Sequence, residues 1–209
     1  MTPPEPASKR NRAAGFTRAE LLAAAGRSVP DLLPDDSRDL RLLFVGINPG
    51  LWTAAVQAHF AHPGNRFFKA LHLAGITSEP LDVRRGFDAN SRSALVGRGI
   101  GITNLVNRAT ARADELSVRE LEEGARRLTE AIAVWRPRVV AVVGIGAYRT
   151  AFGHLQAAVG PQDERLADAA VWALPNPSGL NAHYPVADLA RLYRAAAEAA
   201  GIELGPLRV

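Results

Sequence analysis

Cysteine is absent from the 209 residues. That excludes disulfides, a thiolate nucleophile, a cysteine-ligated zinc and an iron–sulfur cluster. It fits a reducing cytosol, and a cytoplasmic location is the expectation. No apolar stretch approaches the roughly 20 residues needed to span a bilayer, and the amino terminus has no apolar signal core, so a soluble protein without a membrane partner is expected. Lysine is nearly absent, with only Lys9 and Lys69. A Schiff-base mechanism would have to draw on these two amines or the terminal one.

Arginine, by contrast, is abundant. The formal charge is +4 and the isoelectric point about 10.1. Guanidinium groups bind phosphate in a bidentate way and keep their charge, so a nucleic-acid partner is plausible, although an arginine-rich composition alone can reflect genome bias. A hydrophobic content of 47% supports one well-buried core. The expected division is a basic arm with a short helix over 1–37, one domain over 38–200 and a tail over 201–209.

Two Asn-Pro turns follow apolar runs. One reads Leu42-Leu43-Phe44-Val45-Gly46-Ile47-Asn48-Pro49-Gly50 and the other Val171-Trp172-Ala173-Leu174-Pro175-Asn176-Pro177-Ser178-Gly179. Proline cannot continue a central strand and glycine lets backbone approach a ligand, so both are read as strand-terminating site loops carrying a carboxamide. Capping-box spacing at Thr17-Arg18-Ala19-Glu20 and at Ser117-Val118-Arg119-Glu120 predicts helices, the second running to Pro137 with Leu121, Ala125, Leu128, Ile132 and Trp135 on one face. Further helices are predicted over 65–74, 147–152 and 187–200, with an uncertain one in the polar stretch 79–90. Strands are predicted over 40–46, 99–103, 139–143 and 170–174. Pro30 to Asp36 reads as a linker. This alternation argues for a single-domain three-layer α/β/α fold with a central, mostly parallel sheet, whose ligands sit at strand carboxyl ends.

Four ordered segments carry a resemblance. Gly46-Ile47-Asn48-Pro49-Gly50-Leu51, then Phe60-Ala61-His62-Pro63-Gly64-Asn65-Arg66-Phe67-Phe68, then Gly101-Ile102-Thr103-Asn104-Leu105-Val106-Asn107-Arg108-Ala109-Thr110, then Pro175-Asn176-Pro177-Ser178-Gly179-Leu180-Asn181 resemble the mismatch-specific uracil-DNA glycosylases, the family that includes thymine-DNA glycosylase. The similarity extends over roughly 40–193. It implies a uracil-DNA glycosylase-like fold and a monomer acting on double-stranded DNA. The implied reaction is hydrolysis of the N-glycosidic bond of uracil mispaired with guanine, leaving an abasic site, with thymine in G·T mismatches and other damaged pyrimidines as further candidates. No cofactor and no metal are implied. The base must leave the stack, and a mispaired base costs less to extrude.

The resemblance also implies roles. Asn48 would position the attacking water, because a carboxamide does not titrate near neutral pH and orients water without serving as an ordinary general base. Backbone N–H groups from Ile47 to Gly50 would stabilise the departing anion. Phe60 would stack on the extruded base, with Asn104, Thr110 and Asn176 as polar contacts of the pocket. Ser178, Gly179, Leu180 and Asn181 would form the loop that enters the duplex, with Leu180 as the wedge. Relatives that carry arginine near this loop differ from this chain, which has Ala182 and His183; some carry lysine at the position of Asn104, and Trp52, beside Thr53, departs from the small residues common at the pocket wall.

Other readings are weaker. His59 and His62 lack an acidic or cysteine partner for a metal. Arg66, Arg108 and Arg112 could meet phosphates or simply be solvated, and Asp82, Asp88 and Asp114 are unplaced carboxylates that could serve as a base. A sugar-phosphate or nucleotide enzyme lacks a G-x-G-x-x-G or P-loop pattern after the first strand. A non-catalytic DNA-damage binding module is the remaining alternative. With so few amines, hydrolysis without strand cleavage is expected: borohydride treatment during turnover should trap no protein–DNA adduct.

Overall fold

The computed structural model describes residues 15–179, 181 and 183–209; the basic arm before Gly15 lies outside the described residues, as does Leu180. The elements in chain order are α1 (Arg18–Leu22), β1 (Leu42–Gly46), α2 (Leu51–Val56), α3 (Phe67–Leu73), α4 (Ala89–Val96), β2 (Ile100–Asn104), α5 (Val118–Trp135), β3 (Val139–Val143), α6 (Ile145–Phe152), β4 (Gly160–Leu166), β5 (Ala169–Leu174) and α7 (Val186–Ala199). Five strands form one sheet in the order β2-β1-β3-β5-β4, parallel except for β4. The single-domain α/β/α architecture expected from the alternation is therefore present.

Burial on both faces explains the apolar runs. All five residues of β1 and all five of β3 are buried. Within β1, Leu42 and Phe44 join the core beneath α3 and α7, whereas Leu43 and Val45 join the core beneath α5 and α6. This two-sided burial removes the alternating pattern that a half-exposed strand would show. Phe44 anchors the first core through an edge-to-face contact with Phe67, at 5.1 Å between centroids.

The chain leaves β1 to build β2 on one side and then crosses to build β3 on the other. Such a reversal opens a crevice at the carboxyl end of the strand where it occurs. That strand is β1, and Asn48 lies two residues beyond it.

Several elements differ from the sequence reading. The antiparallel strand β4 was not anticipated: it alternates in burial, carries Pro161 at the sheet edge and turns into β5 through Ala167 at φ 50° rather than an Asn-Gly pair. Helix α2 was missed because its N-cap, Gly50, supplies no side-chain bond. The uncertain helix begins only at Ala89, where Asp88 and Ser91 form a capping box with serine in the usual place of glutamate. In the expected linker, Leu32 exchanges backbone hydrogen bonds with Ile102 and is buried. Beyond α7, Ile202 is buried and Arg208 N donates to Leu73 O at 2.8 Å.

Helix α5 begins with a reciprocal capping box. Ser117 Oγ accepts from Glu120 N at 3.2 Å while Glu120 Oε2 accepts from Ser117 N at 2.9 Å. Replacing Ser117 with alanine should lower stability by about 1 kcal/mol, as lost N-caps typically do, readable as a shift in the urea midpoint at constant slope.

Candidate active site at the carboxyl ends of β1 and β2

The loop after β1 is held by the segment after β2. Gly46 O accepts from Leu105 N at 2.9 Å, Ile47 O from Val106 N at 3.0 Å and Pro49 O from Thr110 N at 3.1 Å. Three carbonyls of this loop are thus tied to one neighbouring segment. Between these ties sits Asn48. Its Nδ2 donates to Arg108 O at 2.9 Å and to Thr110 Oγ1 at 2.7 Å, with Pro49 O a longer third contact at 3.3 Å.

A backbone carbonyl can only accept, so Arg108 O identifies which end of the carboxamide is nitrogen. Thr110 Oγ1 in turn donates to Arg112 O at 2.7 Å, which leaves its lone pair for Asn48. Both amide hydrogens are therefore engaged on the protein side, and Oδ1 has no partner among the described residues. The hydrogen bonds among the described residues also leave the N–H groups of Ile47, Asn48 and Gly50 unengaged. Thr110 itself is buried, and its hydroxyl holds Asn48 instead of being presented to a ligand.

A second amide is oriented by a histidine. His59 Nε2 lies 2.9 Å from Pro30 O and His59 Nδ1 lies 3.2 Å from Asn104 Nδ2. Because Pro30 O can only accept, Nε2 carries the proton and Nδ1 accepts from Asn104. Burial lowers the His59 pKa below 6.5, against the opposing effects of the Pro30 bond and the charge of Asp31, so the neutral ring is favoured. Asn104 Oδ1 then turns to Gly46: a Cβ built there would lie 2.4 Å from that oxygen and 3.2 Å from Phe60 Cζ. A side chain at position 46 would therefore displace the Asn104 amide. Phe60 adopts φ 55°, unusual for a bulky residue, and its ring stacks on Phe67 at 4.0 Å. Sequence reasoning considered His59 only as a metal ligand; nothing in its spacing reveals that it meets Asn104.

The late loop follows β5. Asn176 Oδ1 accepts from Ser178 N at 3.0 Å, and Asn181 Nδ2 donates to Asn176 O at 2.9 Å. These bonds knit the segment to itself. Gly179 packs against the 62–66 loop, since a Cβ on it would approach Gly64 O to 2.7 Å. No hydrogen bond among the described residues joins Asn176 to the Asn48 cluster. The wedge expected of Leu180 lies outside the described residues.

The charged candidates are engaged elsewhere. Asp82 pairs with Arg84, which holds its carboxyl at about 2; Asp88 caps α4 through Ser91; Asp114 pairs with Arg112. None of the three hydrogen-bonds to Asn48 among the described residues. Arg108 pairs with Glu120 at 2.8 Å, and Glu120 is held at about 2 first by the Ser117 backbone and then by Arg108. Arg66 donates to backbone carbonyls of the late loop. Trp52 donates Nε1 to Arg84 O at 3.1 Å and lies edge-on to Phe16 at 5.0 Å and His62 at 6.0 Å, bridging the amino-terminal segment to the loops that carry His62 and Arg84. Among the described residues no three metal-ligating side chains cluster.

Two clefts open nearby. One of about 500 Å³ runs from Phe60 and His62 past Lys69 to Leu81, and one of about 620 Å³ from Asp31 and Asn104 past Arg108 to Trp135. Asn48 lines neither.

A mostly parallel α/β/α sheet with one carboxamide just beyond the end of β1 and another at the end of β2 is the class defined here. The family model described as Uracil DNA glycosylase superfamily matches residues 34–198, and the chain belongs to that family. DNA glycosylase activity, with DNA as the partner, is the general function of this membership. No helix among the described residues is long and apolar enough to cross a membrane.

His59 generates a pH signature. Its folded-state pKa is below that of the unfolded chain, so as pH falls the unfolded chain takes up the proton first. Stability should decline below about pH 6.5 by up to about 1.4 kcal/mol per pH unit, and His59→Gln should flatten that limb. Urea titrations between pH 5 and 8 check this; an unchanged limb in the variant would place the titration elsewhere.

Proposed function

We propose that this protein is a mismatch-specific uracil-DNA glycosylase, which everts uracil mispaired with guanine and hydrolyses its N-glycosidic bond without cutting the strand. The observation that carries the reading is the tethered Asn48 carboxamide. With both hydrogens engaged by Arg108 O and Thr110 Oγ1, its oxygen is an acceptor of fixed direction. Such an acceptor aligns a water for attack on the deoxyribose C1′ but has little basicity, so it contributes through orientation.

The larger contribution must come from the departing base. Uracil leaves as an anion, and the N–H groups of the Ile47–Gly50 turn supply donors fixed before the reaction begins. Phe60 offers an aromatic face, and Asn104, oriented by neutral His59, offers an amide edge of defined polarity. Asn176 holds the late loop through Ser178 N, and Ser178, Gly179, Leu180 and Asn181 enter the duplex, Leu180 filling the space left by the everted nucleotide. The clefts meet Phe60 and Asn104 without reaching Asn48, so the reading commits to space opening between those two side chains as the nucleotide enters. Thymine in G·T pairs is the second substrate proposed.

Single-turnover excision on G·U, G·T and A·U duplexes and on single-stranded uracil oligonucleotides tests this, with G·U expected to react fastest. Asn48→Ala should lose roughly 10²- to 10⁴-fold in rate while still binding the duplex. Tight binding of an abasic-site duplex with no base release by the unaltered protein would instead point to the binding module. Thr110→Val, which removes one acceptor of the Asn48 amide, should slow excision by on the order of tenfold, with Thr110→Ser near the unaltered rate.

A further inference from the structure

We propose that Arg66 is the positioning residue of the late loop, a polar core that holds Pro177, Ser178, Asn181 and Tyr184 in place for entry into DNA, rather than a phosphate ligand. The role of the loop in DNA rests on the glycosylase reading; the clasp itself does not.

One guanidinium gathers four carbonyls. Nε donates to Pro177 O at 3.3 Å, Nη1 to Tyr184 O at 2.8 Å, and Nη2 to Ser178 O at 2.7 Å and Asn181 O at 2.8 Å. The backbone N–H of Arg66 also donates to Pro177 O at 3.0 Å. No carboxylate pairs with Arg66 among the described residues, so these carbonyl dipoles are what compensates its charge. Within the loop, Asn181 N donates to Ser178 O at 3.0 Å and Asn181 Nδ2 to Asn176 O, so its own bonds shape the segment while Arg66 fixes it to the 62–66 loop. Pro177 is buried, Tyr184 packs partly buried against the core beneath α3 and α7, Ser178 and Asn181 are half-buried, and Gly179 is exposed.

Arginine suits this task for geometric reasons. Its planar fork presents five donors in fixed directions, so it can serve carbonyls from both ends of one loop at once. Lysine has three donors on one atom, and glutamine has two. The approach of Gly179 to Gly64 O brings the same two loops into backbone contact, so the clasp and the glycine contact act on one interface. Since α3 begins at Phe67, next to Arg66, and Phe67 stacks on Phe60, the clasp also ties the late loop to the aromatic of the candidate base site.

The test compares the full-length protein with its Arg66→Gln variant by three measurements. Hydrogen exchange of the loop amides should accelerate at least tenfold in the variant, with the sheet amides unchanged. Single-turnover G·U excision should fall by about 10- to 100-fold. The slope of log binding constant against log salt on duplex DNA should stay the same, because a lost phosphate contact would make it shallower by about one unit. Should Arg66→Gln fail to fold, Gly179→Ala separates the two loops with Arg66 intact and is expected to show the same loosening and loss.

Unchanged loop exchange overturns the proposal, as does a slope shallower by about one unit. If the unaltered protein releases no base from any duplex, the glycosylase reading fails. Exchange in the loop still decides whether Arg66 holds it.

Discussion

The orientation of the Asn48 carboxamide depends on one physical constraint: a backbone carbonyl cannot donate. Arg108 O therefore dictates which end of the amide faces the protein, and Thr110, its own proton directed to Arg112 O, confirms that polarity. An amide free to flip would present nitrogen as often as oxygen to the crevice. The same logic recurs at the next strand, where Pro30 O sets the tautomer of His59 and His59 sets the orientation of Asn104. Two uncharged side chains thus acquire fixed polarity, Asn48 from a carbonyl and a hydroxyl and Asn104 from a neutral imidazole.

These local constraints rest on the wider fold. Arg108, whose carbonyl holds Asn48, has its guanidinium on Glu120, and Glu120 also closes the cap of α5. The longest helix of the protein is therefore connected to the Asn48 loop through a short run of hydrogen bonds. On the other face, Phe67 begins α3, packs on Phe44 of β1 and supports the ring of Phe60. The reversal of chain direction beside β1 places both systems at the carboxyl-end side of the sheet. An arrangement of this kind favours a reaction in which orientation and electrostatic preorganisation outweigh acid–base strength.

The arginine-rich composition has a different meaning at each position. Arg108 and Arg112 pair with acidic neighbours, while Arg66 donates to backbone carbonyls of the late loop. The carboxylates behave likewise. Asp82 and Asp114 pair with arginines and Asp88 caps a helix. Charge read along a chain says little about function, because short-range pairing between neighbours such as Asp82 and Arg84 is settled only when the loop closes.

Much of the fold was legible because its signals are local. Apolar runs at Leu42–Gly46 and Val139–Val143 report strands covered on both faces, the Ser117 and Thr17 boxes report helix starts, and Asn-Pro turns report strand ends. Strand β4 escaped because an edge strand can be polar and can carry proline, and its hairpin uses Ala167 where Asn-Gly would have announced it. What the amino-acid sequence determined by itself was the order of elements and the identity of the carboxamides at their ends, since periodicity, capping and turn chemistry act over a few residues. Only the tertiary structure decided which way those amides point, because the carbonyls and the histidine that orient them lie 60 and 45 residues away along the chain.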